Sequence, residues 1–201
     1  EEGFGMPLED SKEQGPFGRR LNLEDLTLND AIWSLIDAAG ALPRDPATLT
    51  VDLAGTMNWL IDIMDDSATS TNIDAPAEIH ELNVNELRLD VAGAQFAGEG
   101  EFTFDNTDMV TFHGMPAPDG ELRMTLLGGN GLLDKLVSMG LVPQEQAMGA
   151  RMMLGLFARP GEGPDMLTSE IQVRPDGAVL ANGQRIRFRI AIAWRAPIID
   201  F

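Results

Sequence analysis

IHELNVNELRLDVAGAQFAGEGEFTF, which is residues 79–104, decides the fold class through its period. Apolar and polar residues alternate along both halves of this stretch, as they do in β-strands that bury one face. Between Val84 and Leu87 the apolar phase switches, and one extra residue near Asn85 would explain the switch as a β-bulge. The halves meet at residues 92–94, whose small side chains favour a turn. The stretch therefore predicts two neighbouring strands joined by a turn.

The same two-residue period returns on both sides of these strands. It is clear in residues 48–57, 122–126, 167–173 and 186–194, each of which predicts a further strand with one apolar face. Turn-forming residues separate several of these segments, as at Asn182-Gly183. The chain is therefore predicted to be rich in half-buried strands.

Three segments have the helical period instead. Each has a residue suited to start a helix and a residue suited to end one. The third is apolar nearly all round, which predicts that it is buried or covered. The predicted helices run from Asn29 or Asp30 to Gly40, from Asn130 to Gly140, and from Pro143 to about Ala158.

Together these elements predict an α+β fold, an antiparallel curved β-sheet with about three helices packed on one face. Residues 1–20 are polar and Gly-rich without a sustained period, so they are predicted to form a flexible acidic arm. Residues 21–201 are predicted to form a single domain, because their number suits one core. Residues 67–76 are small and polar and are the best loop candidate.

The composition excludes several classes of function. The 201 residues include 32 Asp and Glu against 14 Lys and Arg, which gives a formal net charge of -18. Binding of nucleic acid needs a basic surface, and adsorption to an anionic membrane is disfavoured for the same reason. No apolar run is long enough for a membrane-spanning helix. Because there is no Cys, a disulfide framework and a thiolate zinc site are excluded.

The sequence offers few candidate catalytic residues. His80 begins a strand and His113 lies in a turn, and neither belongs to a recognisable catalytic motif. Glu99 and Glu101 share a strand face at roughly 7 Å, which is close to the spacing of a glycosidase pair. A solvated strand face produces the same pattern. No catalytic residue is therefore predicted.

Two acidic clusters could offer oxygen ligands to a cation. One is the turn at residues 105–108, and the other consists of Asp62, Asp65 and Asp66. Neither has the spacing of a calcium-binding loop. Asx-turns, in which an Asp side chain bonds to a nearby backbone group, explain the first cluster more simply. Neither a metal nor another cofactor is predicted.

The most distinctive feature is the methionine-rich third helix. Methionine is flexible and polarizable, so it fills irregular cores and also lines apolar grooves. Core packing, a groove for an apolar ligand or partner, and binding of a soft metal all fit this pattern. The candidate ligand-binding residues are Met148, Met152, Met153, Leu156 and Phe157 on the helix and Phe96, Phe102 and Phe104 on the strand.

Four segments resemble a known family. They are GLVPQEQAMGARMMLGLFARP at residues 140–160, LPRDPATL at 42–49, FTFDN at 102–106 and LANGQRI at 180–186. Their sequences are similar to the C-terminal region of an uncharacterised alphaproteobacterial family catalogued as domain of unknown function 2125. The resemblance implies a secreted, periplasmic protein that is longer than this chain. It brings no catalytic or binding residues, and residues 188–201 depart from the family.

We expect a non-enzymatic binding module of the bacterial envelope. Its ligand would be an apolar small molecule, a lipid or a protein partner, bound between residues 143–158 and the phenylalanine face. One alternative is a structural scaffold or interaction domain with a fully packed core. The other is a carboxylate-dependent hydrolase, which would need two acids that converge in a cleft.

Overall fold

The computed structural model describes residues 2–5, 13–61 and 76–186 of the chain. Within them, ten strands and three helices follow one another. In chain order the elements are β1 (Glu2–Gly5), β2 (Gly15–Leu26), α1 (Asp30–Ile36), β3 (Ala47–Trp59), β4 (Ala77–Val91), β5 (Ala94–Asp105), β6 (Ala117–Leu127), α2 (Gly129–Ser138), α3 (Gln144–Phe157), β7 (Arg159–Pro160), β8 (Met166–Val173), β9 (Val179–Ala181) and β10 (Gln184–Ile186).

The described strands form one antiparallel sheet in which sequence neighbours pair. Nine of them follow the path β1-β2-β3-β4-β5-β6-β8-β9-β10, and the two-residue β7 pairs with β8 beside this path. Antiparallel neighbours can be joined by short turns, so alternating segments separated by turn residues are sufficient to build such a sheet. An antiparallel sheet with three helices confirms the predicted α+β class.

The three helices are inserted at the same end of the sheet. α1 connects β2 to β3, while α2 and α3 lie between β6 and β8. α2 contacts β5, and α3 contacts α2 and β8. The predicted packing of the helices on one face of the sheet is not confirmed. A row of cross-strand partners marks the helical end, namely Thr48, Asp90, Gln95, Leu127 and Met166.

α1 begins where the sequence predicts and ends earlier. Its N-cap is Asn29, whose side-chain oxygen accepts a hydrogen bond from the Ile32 N–H at 3.0 Å. The helix stops a turn early because the Asp37 carboxylate accepts hydrogen bonds from the backbone N–H groups of Ala41 and Leu42, at 2.8 and 2.9 Å. These bonds, that of Leu42 foremost, hold the pKa of Asp37 below its ordinary value.

The arm predicted over residues 1–20 contains parts of two strands. Glu2–Gly5 pairs with β2, and β2 itself starts at Gly15 and pairs with β3 along its length. The side chains of Arg19 and Arg20 interrupt the apolar period there. Backbone hydrogen bonds to β3, and not an alternation of apolar and polar side chains, hold this segment in the sheet. The sequence pattern therefore does not predict the strand.

Other predicted features lie outside the described residues. The acidic cluster of Asp62, Asp65 and Asp66 lies there, as does most of the loop predicted at residues 67–76. The alternating segment that follows Ile186 lies there as well.

Candidate apolar binding surface

Most large apolar side chains of the sheet lie on one face. Residues that pair across an antiparallel ladder share a face, and β5 places Phe96, Phe102 and Phe104 opposite Glu99 and Glu101. The register carries this division into the neighbouring strands. The apolar face consists of Phe17, Leu21 and Leu23 in β2, Leu49, Val51 and Leu53 in β3, Leu82, Val84, Leu87 and Leu89 in β4, the three phenylalanines of β5, Leu122, Met124 and Leu126 in β6, and Leu167, Ile171 and Val173 in β8.

The predicted bulge in β4 keeps its apolar side chains on this face. Val84 pairs with Gly100 and Leu87 with Gly98, so two residues of β4 oppose one residue of β5. The ladder with β3 shifts at the same place. Because side chains alternate strictly in a regular strand, Leu87 would otherwise point away from the face that Val84 occupies. The bulge predicted near Asn85 is confirmed.

Two phenylalanines on the apolar face lie over glycines of a neighbouring strand. Phe102 pairs with Gly120, and Phe17 pairs with Gly55. A Cβ on Gly120 would lie 2.8 Å from Phe102 Cδ1, and a Cβ on Gly55 would lie 2.7 Å from Phe17 Cε1. Both distances are shorter than real Cβ contacts. The rings therefore cover bare backbone, which gives the face a low and continuous apolar surface.

The apolar face is only partly buried within the described part of the chain. Phe96, Phe102 and Phe104 are half-buried, and Leu89 is 40% exposed. Among the described residues, the largest fully buried side chain is that of Asp37, an acid. A sheet ordinarily buries its apolar face against a second layer. Within the described residues, much of that face is half-buried and not fully covered.

The opposite face of the sheet is polar. A groove of about 480 Å³ crosses β4, β5 and β6 there and includes Arg88 and Arg123 in its lining. Each arginine pairs with an acid two residues away on its own strand, Arg88 with Asp90 at 2.6 Å and Arg123 with Glu121. The two arginines of this groove are thus neutralised by exposed ion pairs, which contribute little to stability.

Glu99 and Glu101, the candidate catalytic pair, line a smaller groove of about 340 Å³ on the polar face. Both side chains are exposed, and Glu121 and Arg123 line the same groove. The acid of a glycosidase pair needs an apolar pocket that distinguishes it from its partner. An exposed strand face does not supply one, so the geometry gives the hydrolase alternative no support.

The acidic side chains of the turn at residues 105–108 accept hydrogen bonds from residues two or three positions further along the chain. The Asp105 carboxylate accepts hydrogen bonds from the hydroxyl and the N–H of Thr107, and Asp108 does the same with Thr111. The hydroxyl groups are the largest cause of the lowered pKa of each acid. This confirms the Asx-turn interpretation of the cluster. Within the described residues, no three acidic or histidine side chains come together to hold a metal ion.

His80 is held by amide side chains. One ring nitrogen, Nε2, lies within hydrogen-bond distance of Asn58 Oδ1, and the other, Nδ1, lies 3.3 Å from Asn106 Nδ2. A catalytic histidine is oriented by an acid and faces a nucleophile. His80 has neither arrangement in these contacts, and His113 is exposed in a turn with a φ of 56°.

α3 is anchored through one side and through its C-terminal end. Arg151 forms an ion pair with Asp134 of α2 at 2.6 Å. The carbonyl oxygen of Phe157 accepts hydrogen bonds from Ser169 Oγ at 2.6 Å and Asn182 Nδ2 at 2.8 Å. Because Ser169 pairs with a residue of the apolar face, the end of α3 lies beside that face at β8.

The methionines of α3 point away from this anchor. Ala147 is the buried residue of the helix and Leu154 and Phe157 are half-buried, whereas the other large apolar side chains, Met148, Met152, Met153 and Leu156, are exposed to solvent. Within the described part of the chain, nothing buries this outer side, and Ala147, Arg151 and Leu154 supply the packed side. That a ligand or partner covers the outer side stays a prediction. The candidate residues lie on two surfaces, with Phe96, Phe102 and Phe104 on the apolar face, Met148, Met152, Met153 and Leu156 on the outer side of α3, and Phe157 half-buried at the junction.

An acid from a distant loop caps α2. The sequence predicts Asn130 as the cap, but the N-cap position is Gly128. The Asp165 carboxylate instead accepts hydrogen bonds from the N–H of Asn130 at 3.2 Å and the N–H of Gly131 at 2.8 Å. Burial alone would raise the pKa of Asp165, but the bonds from Gly131 and Asn130 outweigh burial and lower it. The 35-residue separation hides this cap from sequence patterns.

Comparison with known proteins identifies a family without a known activity. Residues 9–186 match the model of a family described as "Uncharacterized protein conserved in bacteria (DUF2125)", and the chain belongs to this family. The four resembling segments therefore indicated the correct family. Neither a curated protein nor a solved structure matches the chain. Within the described residues, none of the helices combines the length and the apolar character needed to cross a membrane.

Proposed function

We propose that this protein is a non-enzymatic binding module whose apolar face takes up an apolar, lipid-like ligand. The observation that carries the proposal is the accessible apolar face of the sheet. Its phenylalanines are half-buried, while the largest fully buried side chain of the described residues is Asp37. Burial of apolar surface is the main source of binding free energy for a ligand without polar groups.

The dimensions of the face suit an extended chain. A strand of 12 residues such as β5 is roughly 40 Å long. Each methylene group that a ligand buries contributes about 0.8 kcal/mol, so an acyl chain gains affinity along its length without a specific polar contact. The flat Phe102–Gly120 and Phe17–Gly55 pairs leave a continuous path for such a chain.

A fully packed scaffold is the alternative interpretation. It would bury its large apolar side chains, as domains normally do. The half-buried Phe96, Phe102 and Phe104 favour the binding module instead. A protein partner could also cover the same face, and the titration described below distinguishes it from a lipid.

We further propose that the protein works in the periplasm, as the family resemblance implies. The net charge of -18 keeps a chain with an apolar face in solution, whichever compartment it occupies. Cell fractionation of the native host tests the proposal. Recovery of the protein in the periplasmic fraction is expected, and recovery in the cytoplasmic fraction would contradict it.

A titration with a fluorescent 16-carbon fatty acid tests the binding proposal. The matched variants are Phe96→Glu and Gln95→Glu, which place the same new charge on opposite faces of β5 one residue apart. Phe96→Glu is expected to weaken binding at least about tenfold, because a tenfold loss needs only 1.4 kcal/mol. Gln95→Glu should bind as the unchanged chain does.

Circular dichroism and thermal unfolding establish that both variants fold before binding is compared. If the unchanged chain does not bind the fatty acid, or if both variants bind equally well, the apolar face is not a lipid site. Failure to bind the probe together with capture of one stoichiometric protein would assign the face to a protein partner.

A further inference from the structure

A charged residue, Arg19, lies on the apolar face of the sheet. It pairs with Leu53 of β3, and Phe17 and Leu21, two residues away on either side in β2, share its face. From β2 to β10, the ladders of the described residues place no other charged residue on this face. The side chain of Arg19 is exposed. The apolar face therefore has a cation at one side, within reach of a ligand that lies on the face.

The neighbouring Arg20 lies on the opposite, polar face and has an acid across from it. Arg20 pairs by register with Asp52, and Arg20 Nη1 lies 3.6 Å from Asp52 Oδ2. Opposite Arg19 is Leu53 instead, and the residues of β3 that share the face of Leu53 carry no charge. β3 therefore offers an acid to Arg20 and only uncharged residues to Arg19.

An arginine can bind a carboxylate or a phosphate while it keeps contacts within its own chain. The planar guanidinium carries five N–H donors, and two of them are enough for a bidentate bond to one anionic group. Such a charge-assisted bond is stronger than a bond between uncharged groups. Arg19 can therefore bind an anionic headgroup whether or not other groups of the chain share its donors.

The row of residues that crosses the sheet from Arg19 has the length of an acyl chain. Its members on the next four strands are uncharged and pair one with the next, namely Leu53, Val84, Gly100 and Leu122. Because neighbouring strands lie about 4.8 Å apart, the row from Arg19 to Leu122 spans roughly 19 Å. With C–C bonds of about 1.5 Å, an extended chain of 16 carbons is also roughly 19 Å long. A ligand with its head at Arg19 can thus place its whole tail on apolar residues.

We propose that the ligand of the apolar face is an anionic single-chain amphiphile, whose carboxylate or phosphate headgroup binds Arg19 and whose tail crosses the sheet along this row. The inference rests on the proposed function, because it assigns the headgroup of the lipid-like ligand proposed there. Arg19 selects the ligand by its charge, and the row selects it by the length of its tail.

The formal net charge of -18 does not prevent this contact. At physiological ionic strength, the fields of exposed charges are screened beyond about 8 Å. A headgroup in hydrogen-bond contact with Arg19 lies well within this distance, so the nearest cation outweighs the more distant acids. Because the pair is exposed, added salt should weaken the binding of an anionic ligand more than that of an uncharged one.

Titration of the whole chain with the fluorescent 16-carbon fatty acid and with its methyl ester tests the headgroup, since the ester keeps the tail and lacks the charge. The acid is expected to bind about fivefold more tightly than the ester, which is the upper end for an exposed ion pair. Arg19→Gln should remove this difference by weakening the binding of the acid alone. Arg20→Gln, the same change on the opposite face of β2, is the matched control and should keep the difference.

Binding of the ester also shows whether Arg19→Gln is folded, because the ester needs only the apolar face. Equal affinities of the unchanged chain for acid and ester, or a preference for the acid that survives in Arg19→Gln, would overturn the headgroup assignment and leave the proposed function intact. A chain that binds neither probe would overturn the proposed function itself. Inorganic phosphate should displace the fatty acid no better than sodium chloride of equal ionic strength, and stronger displacement would show that Arg19 binds small anions without a tail, which would overturn the amphiphile.

Discussion

Gly120 in the sheet and Gly149 in α3 have opposite surroundings, although each lies among large apolar side chains. The Phe102 ring lies over Gly120, and a side chain there would also collide with the backbone carbonyl of Glu101. No heavy atom of the described residues lies within 4 Å of a Cβ placed on Gly149. Packing within the described part of the chain therefore explains the first glycine and not the second.

The comparison separates two kinds of apolar surface. On the sheet, the rings and glycines of neighbouring strands already fit together, which suits the adaptable, lipid-like ligand proposed above. On α3, the outward large side chains have no such counterpart among the described residues. The predictions that follow test this difference, beginning with the largest expected effect.

Gly120→Ala is expected to lower the free energy of unfolding by about 2–3 kcal/mol, because overpacking forces the strand or the Phe102 ring to move. Denaturant unfolding measures the loss as a lower midpoint with an unchanged slope. Gly98→Ala is the matched control, since the nearest atoms lie 3.6 Å from its Cβ position, which is ordinary contact. An equal loss in both variants would show that the Phe102–Gly120 fit is not special.

Asp165→Ala is expected to cost about 1 kcal/mol of stability, the usual cost of losing a helix N-cap. Since the pKa of Asp165 is lowered in the folded chain, its contribution is complete above its ordinary value of 3.8 and is lost as the pH falls through the lowered value. The difference in unfolding free energy between the unchanged chain and the variant should therefore shrink below about pH 4.

Glu162→Gln, a change to an exposed acid in the same loop, is the control for this prediction. Its unfolding free energy should stay within about 0.5 kcal/mol of the unchanged chain. A difference for Asp165→Ala that grows on acidification would contradict the capping role.

Gly149→Ala is expected to stabilise the chain by roughly 0.5–1 kcal/mol, because alanine favours the helix and meets no neighbour among the described residues. Thermal unfolding measures the effect. A chain destabilised by this change would mean that Gly149 has a packing role.

Local patterns were sufficient to predict much of the sheet. The alternation in β3, β5, β6 and β8 gives the faces directly, because side chains in a strand alternate whatever lies beyond it. The phase switch beside Asn85 predicted the bulge, and Asn182-Gly183 forms a turn in which both residues have a positive φ. These features depend on residues close together in sequence.

The features that sequence missed depend on distant partners. Gly15–Arg20 is a strand because β3 pairs with it, not because of its own period. The cap of α2 comes from Asp165, and the end of α1 from bonds that Asp37 makes beyond the helix. The composition of α3 predicted an apolar helix, but only its contacts through Arg151 and Phe157 show which side faces outward.

Native mass spectrometry of the purified whole chain, incubated with a bacterial lipid extract and then separated from free lipid, tests the central claim most directly. The proposed function predicts species heavier than the bare chain by the mass of one or more lipids, which disappear after delipidation and return on renewed incubation. A spectrum that shows only the bare chain under both conditions would contradict lipid binding by the apolar face.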